Sequence, residues 1–307
     1  MFSKIRFFQD IFKALIFITL STALIIYFLN KSKFDINTLP ALFFRFNYYE
    51  TIIIFIIWLQ HLLLLSIKSY NLYRNASIDI KFVDCVKINY SGLFATYMLP
   101  SGTGMEIFKY YYLKKYTGGS TIRVAVLLIA DKISSLLITL LFALTFGAGL
   151  LVYLQINTII LAILVFLIIL SAIVCWILFS KYRYRILRVY KKLRMIKYTF
   201  YVYQFFIAIL ILLNGICFYF TISYFMHSNI PFFYFLQNIP VMVILDYLPI
   251  AVASIGVREN TAQILFNLSG FGSVAMYFIV ARIFDFAMSM PGSIFALTAI
   301  LKNKSSK

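Results

Sequence analysis

The stretch Tyr97-Met-Leu-Pro100-Ser-Gly-Thr-Gly104-Met-Glu106 interrupts an otherwise apolar part of this 307-residue chain. It combines a Leu-Pro break with small residues and a charge. A second passage, Tyr247-Leu-Pro249 followed by Ser254-Ile-Gly256-Val-Arg258-Glu259, repeats this combination in the other half of the chain. Interrupted helices at corresponding positions of two halves are typical of transporter binding sites. The two passages therefore predict a membrane protein with a site between two repeats.

Composition supports the membrane class. The chain is 63% hydrophobic and only 12% charged, which is more apolar than a soluble domain of this length requires. Residues 133–180 and 198–245 each run for 48 residues without Asp, Glu, Lys or Arg. Each is long enough for two spans of about 20 residues, and the continuous apolar runs favour helices over the alternating strands of a membrane barrel. The predicted fold is all-α, a polytopic integral membrane protein.

Basic residues predict the topology, because they are enriched in cytoplasmic loops. The densest cluster, eight Lys and Arg between Lys181 and Lys197, is expected in the cytoplasm, together with both termini. The basic start and the apolar run at 14–29 are interpreted as a retained first helix of a cell (plasma) membrane protein. Lys68 is placed in a cytoplasmic loop. About six full spans are predicted, at about 12–30, 50–67, 124–153, 158–179, 200–224 and 272–299.

Residues 88–105 and 236–257 are predicted to be two re-entrant or broken helices, and the total becomes six to eight spans if they cross fully. The offset between the halves is nearly constant: it is 149 residues from Pro100 to Pro249 and 151 from Ala130 to Ala281. We therefore predict one transmembrane domain, residues 1–307, with repeat one at about 50–155 and an inverted repeat two at about 200–300. Chance similarity of two Leu-Pro pairs is the alternative.

Charged residues within or beside apolar segments are the candidates for function. They are Glu106, Lys109, Asp131, Lys132, Asp246, Arg258, Glu259, Arg282 and Asp285. A charge at the centre of a bilayer costs roughly 2.5–3.5 kcal/mol on insertion scales, so these residues must pair or line a polar cavity. Arg282 and Asp285 are three residues apart and can pair on one helix face. Asp131 and Lys132 are expected to find partners in the other half.

We interpret Lys109, Arg258 and Arg282 as holding an anionic head group, while Glu106 and Glu259 orient these basic residues or carry protons. Backbone N–H groups around Gly102 and Gly104 are expected to face a phosphate where a helix restarts after the break. The predicted substrate-binding set is Pro100, Gly102, Gly104, Glu106, Lys109, Asp131, Lys132, Pro249, Gly256, Arg258, Glu259, Arg282 and Asp285. Structural ion pairs that fix the packing of the halves are the alternative.

No catalytic, metal or cofactor site is predicted. Cys85, Cys175 and Cys217 are scattered without a CxxC spacing, so neither a disulfide framework nor a metal site is implied. His61 is interpreted as an interhelical hydrogen-bonding residue rather than a proton relay. The net charge of +18 is attributed to the cytoplasmic side of the membrane rather than to a nucleic-acid partner.

At these residues the chain resembles the flippase-like family that includes the membrane region of lysylphosphatidylglycerol synthase. The resemblance covers about residues 10–300 and is carried by Leu99-Pro100-Ser-Gly-Thr-Gly104-Met-Glu106-Ile-Phe-Lys109, Asp131-Lys132, Ile255-Gly256-Val-Arg258-Glu259, Arg282 and Pro291-Gly292. The family more often has Arg where Lys109 and Lys132 stand here, and Lys offers a point charge rather than a planar fork. The cytoplasmic aminoacyl-transfer domain of full-length synthases has no counterpart. The resemblance implies lipid translocation or export without lipid synthesis.

Two classes of function are therefore expected. The first is a flippase for an anionic or lipid-linked amphiphile, with membrane lipids as partners. The chain lacks a GxxxxGK[ST] loop, so transport would be downhill or coupled to ions through Glu106, Asp131 or Glu259. The second is a membrane-embedded transferase acting on a lipid-linked substrate, although no DxD or DxxD cluster lies near a break. A non-transporting subunit of an envelope-polymer pathway, with envelope-biosynthesis partners, is a third possibility.

Overall fold

The computed structural model describes residues 46–98, 104–116, 121–153, 198–246, 257–272 and 274–295. Its regular elements in these ranges are all α-helices, as predicted. They are α1 (Tyr48–Asn75), α2 (Phe82–Met98), α3 (Gly104–Tyr116), α4 (Thr121–Tyr153), α5 (Tyr198–Phe225), α6 (Phe232–Asp246), α7 (Val257–Leu268) and α8 (Ala275–Ser289).

Several predicted features lie outside the described residues. These are the spans at 12–30 and 158–179, the basic cluster at 181–197, and the site residues Pro100, Gly102, Pro249 and Gly256. The side chain of Asp246, at the end of α6, is also outside the description. The two predicted breaks fall between α2 and α3 and between α6 and α7, so the helices on either side of each break are defined.

Three described helices are long and apolar enough to cross a membrane: α1, the Leu127–Gly147 part of α4 and the Val202–Phe225 part of α5. The outer face of α4 exposes Ile129, Ile133 and Leu144. Such a surface would be unstable in water, but it suits contact with lipid tails. The chain is therefore a helical protein with at least these membrane-capable segments, at the predicted second, third and fifth spans.

The predicted last span, 272–299, is not one helix. Helix α8 has 15 residues and ends at Ser289. A turn follows at Met290 and Pro291, and a further helical turn occupies 292–295. At about 1.5 Å per residue, α8 is shorter than the roughly 30 Å hydrocarbon layer. Proline is common just after a helix end because its ring cannot continue the helix.

Helix α1 is longer than predicted. It begins at a capping box, in which the Asn47 side chain accepts from the Glu50 N–H and the Glu50 carboxylate accepts from the Asn47 N–H, both at 2.9 Å. It continues to Asn75, eight residues past the predicted end of the second span. Lys68 therefore lies inside the helix, and its placement in a cytoplasmic loop was wrong.

Helices α1 and α5 end in the same turn. The second residue beyond each helix, Ser77 or His227, has φ of 57°, the left-handed conformation that closes many helix C-termini. The next residue, Ile78 or Ser228, donates its N–H to the carbonyl five residues earlier, at 3.0 Å and 3.1 Å. The two turns are 150 residues apart and lead into α2 and α6.

The main helix–helix contacts among the described residues are symmetric between the two halves. If α1, α2, α3 and α4 are exchanged with α5, α6, α7 and α8 in that order, the same set of helix pairs is in contact. The contact of α1 with α5 maps onto itself. The others form matching pairs: α1–α2 with α5–α6, α2–α3 with α6–α7, α3–α4 with α7–α8, α2–α8 with α6–α4, α1–α8 with α5–α4, and α1–α4 with α5–α8. Helices α1 and α5 run antiparallel, because His61 contacts Asn214 while Lys68 contacts Gln204.

Gly104 allows α3 to pack directly on the backbone of α2. A Cβ atom at this position would lie 2.0 Å from the carbonyl oxygen of Ala95, a distance that no side chain tolerates. Gly104 is therefore required for the close approach of the two helices that flank the first break, whatever its N–H group does.

We predict that Gly104→Ala destabilises the protein by about 1–3 kcal/mol, because the methyl group must displace the α2 backbone. Gly215→Ala, within α5, is the matched control. A Cβ there meets nothing within 4 Å, so the control should be neutral or slightly stabilising. Thermal unfolding in detergent, monitored by circular dichroism, measures both. Equal melting temperatures for the two variants would contradict the close packing.

Candidate functional site

Asp131 on α4 is the centre of a buried charge cluster, which we call the Asp131 centre. Lys68 Nζ lies 2.9 Å from its Oδ1, and Lys109 Nζ donates to its Oδ2 at 3.2 Å. The side chains of the two lysines are only 3% and 5% exposed. Lys68 also donates to the Asp131 carbonyl at 3.0 Å and to the Ser135 hydroxyl. Two buried ammonium groups thus share one carboxylate, which joins α1, α3 and α4.

A second ion pair lies beside this centre. Lys132, the next residue on α4, contacts Glu106 on α3, and both side chains are partly exposed. The prediction that Asp131 would find its partners in the other half was wrong, since Lys68 and Lys109 both belong to the first half. The described partner of Lys132 is in the first half as well. Adjacent residues of α4 therefore tie it to α3 through two separate ion pairs.

Helices α7 and α8 hold a second charged cluster, which we call the Arg282 centre. Arg282 Nε lies 3.4 Å from Glu259 Oε1, with side-chain exposures of 12% and 3%. Arg258, the residue before Glu259, donates from NH1 to the Tyr219 hydroxyl of α5 at 2.9 Å. Three of the predicted site residues thus meet where α5, α7 and α8 pack together.

Asp285, one turn along α8 from Arg282, contacts the first half of the chain. Its Oδ1 accepts from Trp58 Nε1 of α1 at 2.7 Å, and its Oδ2 accepts from the Tyr97 hydroxyl of α2. The two charges of α8, expected to pair with each other, therefore have different partners: Arg282 is beside Glu259, and Asp285 is beside two neutral donors.

The Arg282 centre brings together residues that flank both breaks. Tyr97 lies two residues before the first undescribed segment, 99–103, and Glu259 lies three residues after the second, 247–256. The Arg282 guanidinium carbon is 5.7 Å from the centre of the Tyr97 ring, within range of a cation–π contact. Arg282 is thus in contact with the ends of both interrupted passages.

Sequence reasoning identified the charges of α3, α4, α7 and α8 but missed their partners on α1, α2 and α5. Those residues are Lys68, Trp58, Tyr97 and Tyr219. A signal existed for Lys68: apolar residues continue beyond it to Tyr73, and the helix-ending sequence Asn75-Ala76-Ser77 comes later. The aromatic residues had no such signal, because Trp and Tyr are common throughout an apolar bundle.

His61 behaves as expected of an interhelical hydrogen-bonding residue. Its Nδ1 lies 3.2 Å from the Asn214 side-chain oxygen on α5. The Asn214 amide in turn donates to Gln60 and to the Ile57 carbonyl of α1, both at 3.3 Å. These polar contacts fix the crossing of the two antiparallel helices. Among the described residues, no group of three or more His, Cys, Asp or Glu is arranged to hold a metal ion.

Comparison with known families gives one match. The family described as the lysylphosphatidylglycerol synthase TM region matches residues 11–299, nearly the whole chain. The chain belongs to this family. No curated protein matches the chain. In this member of the lysylphosphatidylglycerol synthase TM family, Glu106, Lys109, Asp131 and Lys132 form one cluster around α3 and α4, and Arg258, Glu259, Arg282 and Asp285 form the other around α8.

We predict that Asp131→Ala destabilises this family member by about 3–5 kcal/mol, because it leaves two buried ammonium groups without their shared carboxylate. The control is Asp79→Ala, which removes a carboxylate that pairs with Arg74 at 3.3 Å on the surface. Exposed ion pairs contribute little, so the control should leave stability nearly unchanged. Unfolding in detergent measures both. A mild effect of Asp131→Ala, similar to that of the control, would contradict the Asp131 centre as a packing element.

Proposed function

We propose that this chain is a flippase-like protein that translocates an anionic or lipid-linked amphiphile across the cell (plasma) membrane, with both termini in the cytoplasm. The observation that carries the proposal is the contact of Arg282 with residues beside both breaks. A polar, charged junction between two interrupted helices in an apolar bundle is costly to build. Such junctions are where transporters bind the polar part of a substrate.

We infer that α1–α4 and α5–α8 are inverted repeats. Three features support this: the matching turns at Ser77 and His227, the helix contacts that survive exchange of the two sets, and the antiparallel crossing of α1 and α5. Helices α1 and α5 are the first described helices of the two halves, and they run in opposite directions. Halves arranged in this way are related by a pseudo-two-fold axis in the membrane plane. The axis would pass close to His61, where α1 and α5 cross. Both breaks would then approach the site from opposite sides of the membrane.

The head group would bind at the Arg282 centre. A guanidinium offers five N–H donors in a planar fork, which lets it bridge a carboxylate such as Glu259 and a phosphate. Arg258, at the start of α7, would add a second guanidinium near the same place. The tails would remain in the bilayer beside the exposed apolar faces. An anionic head group also suits the Asp131 centre, where two lysines share one carboxylate and leave one unit of positive charge.

A reconstitution experiment tests the proposal. Vesicles containing the purified protein and a fluorescent anionic lipid report movement between leaflets as dithionite-accessible fluorescence. We expect translocation above protein-free vesicles. Arg282→Gln should reduce the rate by about 10- to 100-fold, since charged hydrogen bonds contribute about 1.5–3 kcal/mol. Arg282→Lys should keep part of the rate, because it retains the charge but not the fork.

Arg74→Gln is the matched control. It removes a guanidinium from an exposed surface pair with Asp79, so the rate should match the unmodified protein. Wild-type movement no faster than in protein-free vesicles would overturn the proposal. Turnover of a lipid-linked substrate that requires a metal would favour the transferase. An envelope pathway that remains active with Arg258→Gln would favour a non-transporting subunit.

A further inference from the structure

Four acidic side chains are described in or beside the two centres: Glu106, Asp131, Glu259 and Asp285. Three of them have a Lys or Arg nitrogen within 3.4 Å. Asp285 differs. In the described part of the chain, both of its oxygens accept from neutral groups, the Trp58 indole and the Tyr97 hydroxyl. Within the described residues, Asp285 is therefore the carboxylate of the four whose negative charge has no direct cationic partner.

This difference decides which carboxylate accepts a proton most readily. A cation within ion-pair distance favours the charged form of a carboxylate strongly, whereas a neutral donor favours it less. Protonation of Asp131 would break two ion pairs, and protonation of Glu106 or Glu259 would break one. Protonation of Asp285 breaks no ion pair. Ion coupling through Glu106, Asp131 or Glu259, one of the two possibilities left open by the sequence, is disfavoured by these contacts.

Titratable and charged groups lie around Asp285 and its neighbour Arg282 on the helices packed against α8. His61 on α1 and Tyr97 on α2 interact with Asp285, and Tyr219 on α5 and Arg258 and Glu259 on α7 lie near Arg282. The positive charge of Arg282 is offset by its ion pair with Glu259. His61 on α1 is close enough to Asp285 for the charges of the two side chains to interact.

We propose that Asp285 is a proton-binding site that couples translocation to proton movement, an inference that rests on the proposed function above. In the step itself, a proton from water binds Oδ2, and the carboxylate becomes a neutral carboxylic acid. The new O–H group is a donor, so the Tyr97 hydroxyl no longer faces a charged acceptor. Release of the proton to water restores the original contacts, and no other reactant is required.

The consequence for the fold is specific, because both donors to Asp285 come from the first half of the chain. Trp58 belongs to α1, and Tyr97 lies beside the first break at the end of α2. Binding of the proton weakens the attachment of α8 to both helices. Loss of the proton strengthens it. One proton therefore changes the strength of the contacts between the two halves, at the place where the head group would pass.

Tryptophan fluorescence tests proton binding without any transport assay. The chain has two tryptophans, Trp58 and Trp176, so Trp176→Phe leaves the indole that donates to Asp285 as the single reporter. We expect its emission to change in one transition as the pH is lowered. Addition of Asp285→Asn should abolish the transition, since the amide cannot titrate.

Tyr97→Phe provides a second variant should Asp285→Asn fail to fold. It removes one of the two donors that stabilise the charged carboxylate, so the transition should move to higher pH. Any of three results would overturn the proposal. The Trp176→Phe protein shows no transition, the transition persists after Asp285→Asn is added, or Tyr97→Phe leaves the pH of the transition unchanged.

Vesicles with an imposed pH gradient and a clamped membrane potential test the coupling. With one proton per lipid, a gradient of one pH unit supports up to about a tenfold accumulation of the labelled lipid in one leaflet. The wild type and the Arg74→Gln control should both show this accumulation, and Asp285→Asn should lose it whatever its rate of translocation. A wild type that translocates but ignores the gradient overturns the coupling and leaves the proposed function intact. A wild type that does not translocate overturns the proposed function, while the fluorescence titration still decides whether Asp285 binds a proton.

Discussion

The structure depends on one constraint: a charge placed inside an apolar helix bundle must find a partner within the protein. The Asp131 centre meets this constraint most completely, because Lys68 and Lys109 approach the carboxylate from two different helices. Neither lysine can leave without exposing a buried charge, so α1, α3 and α4 are held in one arrangement. The neighbouring ion pair between Glu106 and Lys132 adds a second link between two of these helices, α3 and α4. The first half is thereby tied together internally.

The same constraint explains what the sequence could and could not reveal. Charges in apolar segments stand out in any sequence, so Glu259, Arg282 and Asp285 were found directly. Their partners were assigned poorly, because a pairing across helices depends on packing that no local pattern encodes. Lys68 was placed in a loop because a positive residue at the end of an apolar run is normally cytoplasmic. In the structure its burial is stabilised by Asp131, which lies 63 residues away.

The inferred repeat has a clearer sequence signal than the Leu-Pro pair. Two similar tripeptides lie 150 residues apart, Ile80-Lys-Phe82 and Ile230-Pro-Phe232. Each begins three residues after a residue with left-handed backbone conformation. Ser and His do not mark that conformation as glycine does, so the turns were invisible without coordinates. The helix ends were also harder to predict than the helices themselves. The capping box at Asn47 can be recognised in the sequence. The end of α8 at Ser289 became clear only from the turn that the structure shows at Met290 and Pro291.

The two centres differ in a way that bears on motion. The ion pairs described at the Asp131 centre connect helices of one half, while Asp285 connects α8 to α1 and α2 of the other half through neutral donors. A transporter built from two halves must keep each half rigid and let the contacts between them change. Ion pairs that are costly to break suit the first task. Hydrogen bonds to a single carboxylate, which a proton can weaken, suit the second. Under the proposed function, movement between the halves would therefore begin at α8 rather than at α4.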